Sequence, residues 1–227
     1  MKIPLCIPSL SGGELEAVRE VLESRRFVMG EQNRAFEKEF ASFCGVKYAV
    51  AVSSGSAALQ LALLACDVGL GDKVVTVSHT FDATVAAIIL CGGKPVLVDI
   101  DPKSYTMDPR RLEEKVDSDV KAVIPVHLYG HPADMQPIRE VAERHGLKIV
   151  EDAAQAHCAK YRGVMTGALG DLACFSFYPT KNMNVAGEGG MVVTDDEKLA
   201  ERVRMLSNHG RREKFLHEML SGNYRLS

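Results

Sequence analysis

Short apolar runs alternate with segments of helical period along most of this chain, and that alternation constrains the fold more than any other feature. The runs Tyr48–Val52, Val74–Val77, Pro95–Val98, Ala122–Val126 and Lys148–Val150 are of strand length and nearly continuous in apolar character. Strands of that kind must be covered on both faces, which is the condition of a parallel sheet between helices. Helical spacing fills the gaps. Residues 11–24 open with a Ser-x-x-Glu capping box (Ser11, Glu14) and carry Leu15, Val18, Val21 and Leu22 at helical intervals. Residues 33–43 repeat the pattern with Phe36, Phe40 and Phe43. Further helices are expected from about Ala57 to Cys66, over the stretch ending on Gly146, and from near Asp195 to about Leu206. After Glu151 the rhythm changes. "DLACFSFYP" and "GGMVVTDD" read as two strands with no room for a crossover helix, so one neighbour there is antiparallel.

The 227 residues suffice for one good core, and 46% hydrophobic with 25% charged residues is ordinary for a globular domain. A formal charge of −3 gives no broad basic field for nucleic acid or an anionic membrane. No apolar run is long enough to cross a bilayer, and "MKIPLCIPSL" lacks a signal-peptide core, so a cytoplasmic location is expected. The ending "HEMLSGNYRLS" has no cap or closing helix and reads as cut. The six cysteines are scattered with no C-x-x-C pair and read as reduced and structural. His127 and His131 are four apart, but "HLYGHP" holds glycine and proline and is no helix. The pair reads as structural or substrate-edge, and no metal is expected. Arg202, Arg204, Arg211, Arg212 and Lys214, interleaved with Glu201 and Glu213, read as solvated surface.

Four segments follow strands, and ligands of open α/β sheets bind outside the carboxyl ends of strands. "SSGSAAL" (Ser53–Leu59) leads from a turn into a helix, whose free N–H groups and dipole suit a phosphate. Gly55 permits close backbone approach and Ser56 adds a hydroxyl, although simple N-capping explains one of the serines. In "SHTFDAT", Phe81 can stack on a planar ring; read alone, it is better taken as core. "VEDAAQAH" ends a buried strand in two acids. Asp152 suits a ligand cation, and Gln155 supplies an amide; a helix-terminal acid accounts for one of the two carboxylates and less well for both. Lys181 follows an apolar strand and precedes the glycine-rich "GEGG". A phosphate seat, a stacking aromatic, a buried acid and a lysine together match pyridoxal 5'-phosphate, which needs a lysine for its Schiff base and an acid for its ring nitrogen.

The chain resembles the DegT-type sugar aminotransferases, a family of fold-type I pyridoxal-phosphate enzymes. The carriers are "AVSSGSAAL", "PVHLYGHPADM", "VEDAAQAHCAKYRG", "GDLACFSFYPTKN", "GEGGMVVTDD" and "NHGR", in family order over nearly the whole chain. The resemblance implies a three-layer αβα large domain over residues 1–227, with helices 11–44 leading in, a mostly parallel sheet with one antiparallel strand, and a smaller C-terminal domain that is missing. It implies Lys181 as catalytic residue forming the internal aldimine and shuttling the proton. Asp152 pairs with the ring nitrogen, Gln155 bonds the ring hydroxyl, and Phe81 stacks on the ring. Gly55, Ser56 and Ser176 hold the phosphate, and Asn223 reaches the phosphate of the other subunit of a homodimer. The reaction implied is ping-pong transfer of an amino group, usually from glutamate, to a nucleotide-linked keto sugar, as in polysaccharide biosynthesis. The alternatives are another fold-type I enzyme, a lyase or amino-acid aminotransferase, or a non-catalytic cofactor-binding or regulatory fragment. "FYPTKN" and "NHGR" weigh against the first of these. The family commonly has glycine where this chain has Cys158, which is expected to add bulk near the site.

Overall fold

The computed structural model describes residues 2–4, 6–8, 11–213 and 215–226. The chain runs α1 (Glu14–Ser24), α2 (Glu31–Cys44), β1 (Tyr48–Val52), α3 (Gly55–Ala65), β2 (Lys73–Val77), α4 (Asp82–Leu90), β3 (Lys94–Val98), α5 (Pro109–Lys115) and β4 (Val120–Ile124). It continues through α6 (Met135–His145), β5 (Lys148–Asp152), β6 (Lys160–Tyr161), β7 (Val164–Met165), β8 (Leu172–Ser176), β9 (Gly190–Thr194), α7 (Glu197–Ser207), β10 (Arg211–Glu213) and β11 (Leu216–His217). Seven strands form one sheet in the order β1-β9-β8-β5-β4-β2-β3. Only β9 runs against the rest, pairing antiparallel with both β1 and β8. The fold is the α/β class read from the sequence.

Alternation along each strand explains why helices cover both faces. Val50 and Val52 enter the cluster under α3 and α7, while Ala49 and Ala51 enter the one under α2. On β5, Val150 points to the first cluster and Ile149 to the cluster with α5 and α6. α3 lies centrally and buries eight of its eleven residues, as the nearly all-apolar "GSAALQLALLA" requires.

One local expectation changes. Ser11 and Glu14 do interact, but Gly13 is the N-cap of α1 and Glu14 its first residue. The Glu14 carboxylate accepts from the Ser11 and Gly12 N–H groups and the Ser11 hydroxyl, so the pair braces the entry turn instead of forming a capping box. α1 also buries none of its residues: Leu15, Val18 and Leu22 are exposed among the described residues. The basic cluster stays partly solvated, as expected, and three of its members pair with acids other than the interleaved ones. Arg202 pairs with Asp67, Arg204 with Glu37 and Arg212 with Glu218; Lys214 lies outside the described residues. No described helix is long and apolar enough to cross a membrane.

Candidate active site

The parallel strands β1, β2, β4, β5 and β8 end at the same edge of the sheet. The loops that leave them therefore converge, although they lie far apart in sequence. Between them is a cavity of about 470 Å³, within the range of small-molecule sites. Gly55, Ser56, Phe81, Asp152, Gln155, Ser176 and Lys181 all line it. Asn223 does not. It sits in an extended segment bridged to Asn208, next to Tyr224, whose carbonyl accepts from Ser53 N–H.

The seat at the start of α3 is built by close approach. Ser54 is the N-cap and its hydroxyl accepts from Ala57 N–H, so the next first-turn donors, Gly55 and Ser56 N–H, have no helical acceptor. A Cβ on Gly55 would lie 2.7 Å from the Ser176 Cβ, and one on Gly190 would run into the Ser54 carbonyl. These glycines let the ends of β1, β8 and β9 close around one point. Capping accounts for Ser54 only and leaves Ser56 facing the cavity.

Asp152 closes β5 at 6% exposure. No helix follows it, so a helix dipole does not explain its burial. Thr84 Oγ1 donates to Oδ2 at 2.8 Å and Ala154 N–H to Oδ1 at 3.2 Å. Burial nonetheless dominates and pushes the carboxyl above its ordinary pKa; Thr84, Ala154, His127 and Lys181 oppose this. The second acid, Glu151, is also buried, but inside the fold, against His127 and the turn at 167–170.

Lys181 is half-buried, and its Nζ has no hydrogen-bond or ion partner among the described residues. Phe81 is not core: it is 67% exposed, lines the cavity, and precedes α4 as its N-cap residue. Gln155 accepts from Tyr129 N–H through Oε1 at 2.8 Å, which leaves its amide hydrogens to donate. Cys158 is exposed, does not line the cavity, and has φ 67°. Its side chain thus adds no bulk to the site, and its backbone conformation is one that glycine adopts without cost.

Sequence reasoning missed Thr80 and Thr84. Their hydroxyls are 2.7 Å apart, and Thr84 carries the chain of hydrogen bonds to Asp152. The only signal was their i, i+4 spacing in a segment singled out for its phenylalanine. Glu188 also lines the cavity and was not singled out.

His157 lies beneath the site against Phe175 and Phe177, with ring centroids 5.2 and 5.7 Å away. The Asn182 side chain and the Ser176 backbone are near enough to favour the charged ring, but neither ring nitrogen has a partner in hydrogen-bond geometry. Burial, aided by the Lys181 charge, pushes the pKa down to about 4. The unfolded chain therefore takes up a proton here before the folded one does. The stability this group allows is full above the unfolded pKa and is lost as the solution is acidified toward the folded one. That loss is expected to be roughly 2–3 kcal/mol between about pH 7 and pH 4. Urea unfolding of wild type and His157→Phe across this range checks it: the variant should lose less.

The sequence pattern of the DegT/DnrJ/EryC1/StrS aminotransferase family matches residues 8–227. The dTDP-3-amino-3,4,6-trideoxy-alpha-D-glucose transaminase of Streptomyces venezuelae is 50% identical over 210 residues, 92% of this chain and 55% of that protein. The crystal structure of S. venezuelae DesV superposes with a TM-score of 0.92 at 50% identity, covering 94% of this chain and 58% of that one. NtdA of Bacillus subtilis, solved with bound cofactor PMP, superposes with a TM-score of 0.89 at 35% identity, covering 93% of this chain and 48% of that one. The chain spans a little over half the length of the curated relatives it matches.

Proposed function

Because this chain belongs to the DegT/DnrJ/EryC1/StrS aminotransferase family, we propose that residues 1–227 are the large domain of a pyridoxal 5'-phosphate-dependent sugar aminotransferase. The protein moves an amino group from glutamate to a nucleotide-linked keto sugar in two half-reactions, as a cytoplasmic homodimer. The observation that carries the reading is one cavity holding a lysine amine without a hydrogen-bond partner among the described residues and a buried carboxyl whose pKa burial raises. The names of the relatives support the substrate class, since those proteins are transaminases of nucleotide-linked sugars.

The residues fit this cofactor. Burial raises the pKa of the Asp152 carboxyl even with Lys181 and His127 opposing, and a protonated ring nitrogen would add a cation beside it. The first-turn N–H groups of α3, the Ser56 hydroxyl and the Ser176 hydroxyl form a small seat for an anion such as a phosphate. When bound, the group supplies an electron sink for a carbon–hydrogen bond next to nitrogen. Asp152 would hold the proton on the ring nitrogen. Gln155 would bind the ring hydroxyl through its amide hydrogens, and Phe81, at the cavity mouth, would cover the ring. Lys181 Nζ takes up and returns a proton at the substrate carbon, which is general acid–base work by a tethered amine. Asn223, outside its own chain's cavity, serves the phosphate seat of the second subunit.

Incubation with pyridoxal 5'-phosphate, borohydride reduction, digestion and mass spectrometry test the reading. A pyridoxyl group confined to the Lys181 peptide is expected. A folded protein modified elsewhere, or not at all, overturns it.

A further inference from the structure

Beneath the cavity lies a polar network that the function above does not use. Glu151 and His127 are both fully buried. The Glu151 carboxylate accepts from Gly167 N–H at 2.9 Å, Leu169 N–H at 2.7 Å and Gly170 N–H at 2.8 Å, and contacts His127 Nε2 at 2.9 Å. His127 Nδ1 accepts from Ala133 N–H at 3.1 Å. A ring nitrogen that accepts carries no hydrogen, so in the uncharged ring Nε2 bears it and donates to Glu151. His127 also lines the cavity, yet both of its nitrogens are committed inward. It can offer a ligand only its carbon edge.

The network is strapped to the ligand-facing acid. Asp152 N–H donates to the Pro125 carbonyl at 2.9 Å, and His127 N–H donates to the Asp152 carbonyl at 3.0 Å. Neighbouring strand residues face opposite ways, so Glu151 grips the interior while Asp152 faces the cavity. The turn that Glu151 holds is built for this approach: a Cβ on Gly170 would lie 2.9 Å from the Ile149 carbonyl and 3.3 Å from Glu151 Cγ.

We propose that Glu151 and His127 form a positioning pair. Glu151 locks His127 as the Nε2–H tautomer and pins the 167–170 turn, and the two together set the place of Asp152 against the cofactor ring. His127 exchanges no proton with the ligand. This inference rests on the cofactor reading above.

Glu151→Gln and His127→Gln test it. Glutamine at 151 replaces one accepting oxygen by a donor where only donors converge. In cofactor-free wild type labelled with 15N-histidine, NMR should show His127 Nε2 protonated and Nδ1 bare, and Glu151→Gln should disturb that pattern. Each variant should raise the dissociation constant for pyridoxal 5'-phosphate by about tenfold or more, the usual effect of losing an outer partner of a ligand group. The pH dependence of the bound cofactor's visible absorbance should also shift, because Asp152 moves from the ring nitrogen. A folded Glu151→Gln protein with wild-type affinity and absorbance overturns the proposal, as does a protonated Nδ1 in wild type. If Glu151→Gln does not fold, His127→Gln decides by affinity and absorbance. The two readings fail separately. Absence of the Lys181 adduct in wild type sinks the function, whereas wild-type affinity in the folded variants sinks the pair.

Discussion

Lys181→Ala is expected to abolish amino transfer while leaving the cofactor-free fold intact. Removing a general acid–base group costs roughly 10²–10⁴-fold by itself, and on the proposed function the covalent anchor of the cofactor would go with it. Two of the cavity's other acid–base groups are already engaged. Both His127 nitrogens are engaged by Glu151 and Ala133. Asp152 is committed to Thr84 and Ala154. Glu188 lines the cavity but is exposed. The fold should not notice the change, because Lys181 Nζ pairs with no described residue; a stability change within about 0.5 kcal/mol is expected for such a site. Amino transfer from glutamate to a nucleotide-linked keto sugar, followed by mass, checks the first part, and urea unfolding the second. Turnover retained in the variant removes Lys181 from the mechanism.

The sequence revealed most where the physics is local. Strand and helix positions followed from the spacing of apolar side chains, and the two runs "DLACFSFYP" and "GGMVVTDD", joined without room for a crossover helix, signalled the antiparallel strand before any pairing was known. The cavity was legible for a related reason. Asp152, Ser176 and the Ser53–Ser56 turn stand at strand ends, and a parallel sheet brings strand ends together. What could not be read depends on chain crossings. Nothing in "VEDAAQAH" says that Glu151 collects three amide hydrogens from residues 16–19 positions later and a histidine 24 positions earlier. Thr84 was hidden the same way, since its partner lies 68 residues on. The apolar stripe of α1 was read correctly as a helix, but period alone does not say what covers it, and no described residue buries it. The left-handed backbone at Cys158 has no signal in the side chains around it.

Asp152→Asn is expected to move function and stability in opposite directions. The folded protein raises the pKa of this carboxyl above its unfolded value, chiefly by burial. The sign follows: the contribution of such a group to folding is fully present below the unfolded pKa and is lost as pH rises through the folded one. Above the unfolded pKa the burial of Asp152 therefore weighs against the cofactor-free fold. Asparagine keeps the shape. Its oxygen can accept from Ala154 N–H, and its amide can donate to Thr84 Oγ1, whose own hydrogen can turn to Thr80, 2.7 Å away. The cofactor-free variant should gain about 1–2 kcal/mol, a common yield when a functional group at odds with its surroundings is replaced. The same change should slow both half-reactions roughly 10²–10³-fold, the scale for removing one preorganised electrostatic partner, and should weaken cofactor retention. Urea unfolding at neutral pH without cofactor and single-turnover rates with it measure the two sides. A more stable, slower protein would mean that the fold carries Asp152 at a cost in order to meet the charge on the ring. Wild-type rates would reduce the acid to a structural residue, and a less stable variant would show that Thr84 and Ala154 already satisfy the carboxylate.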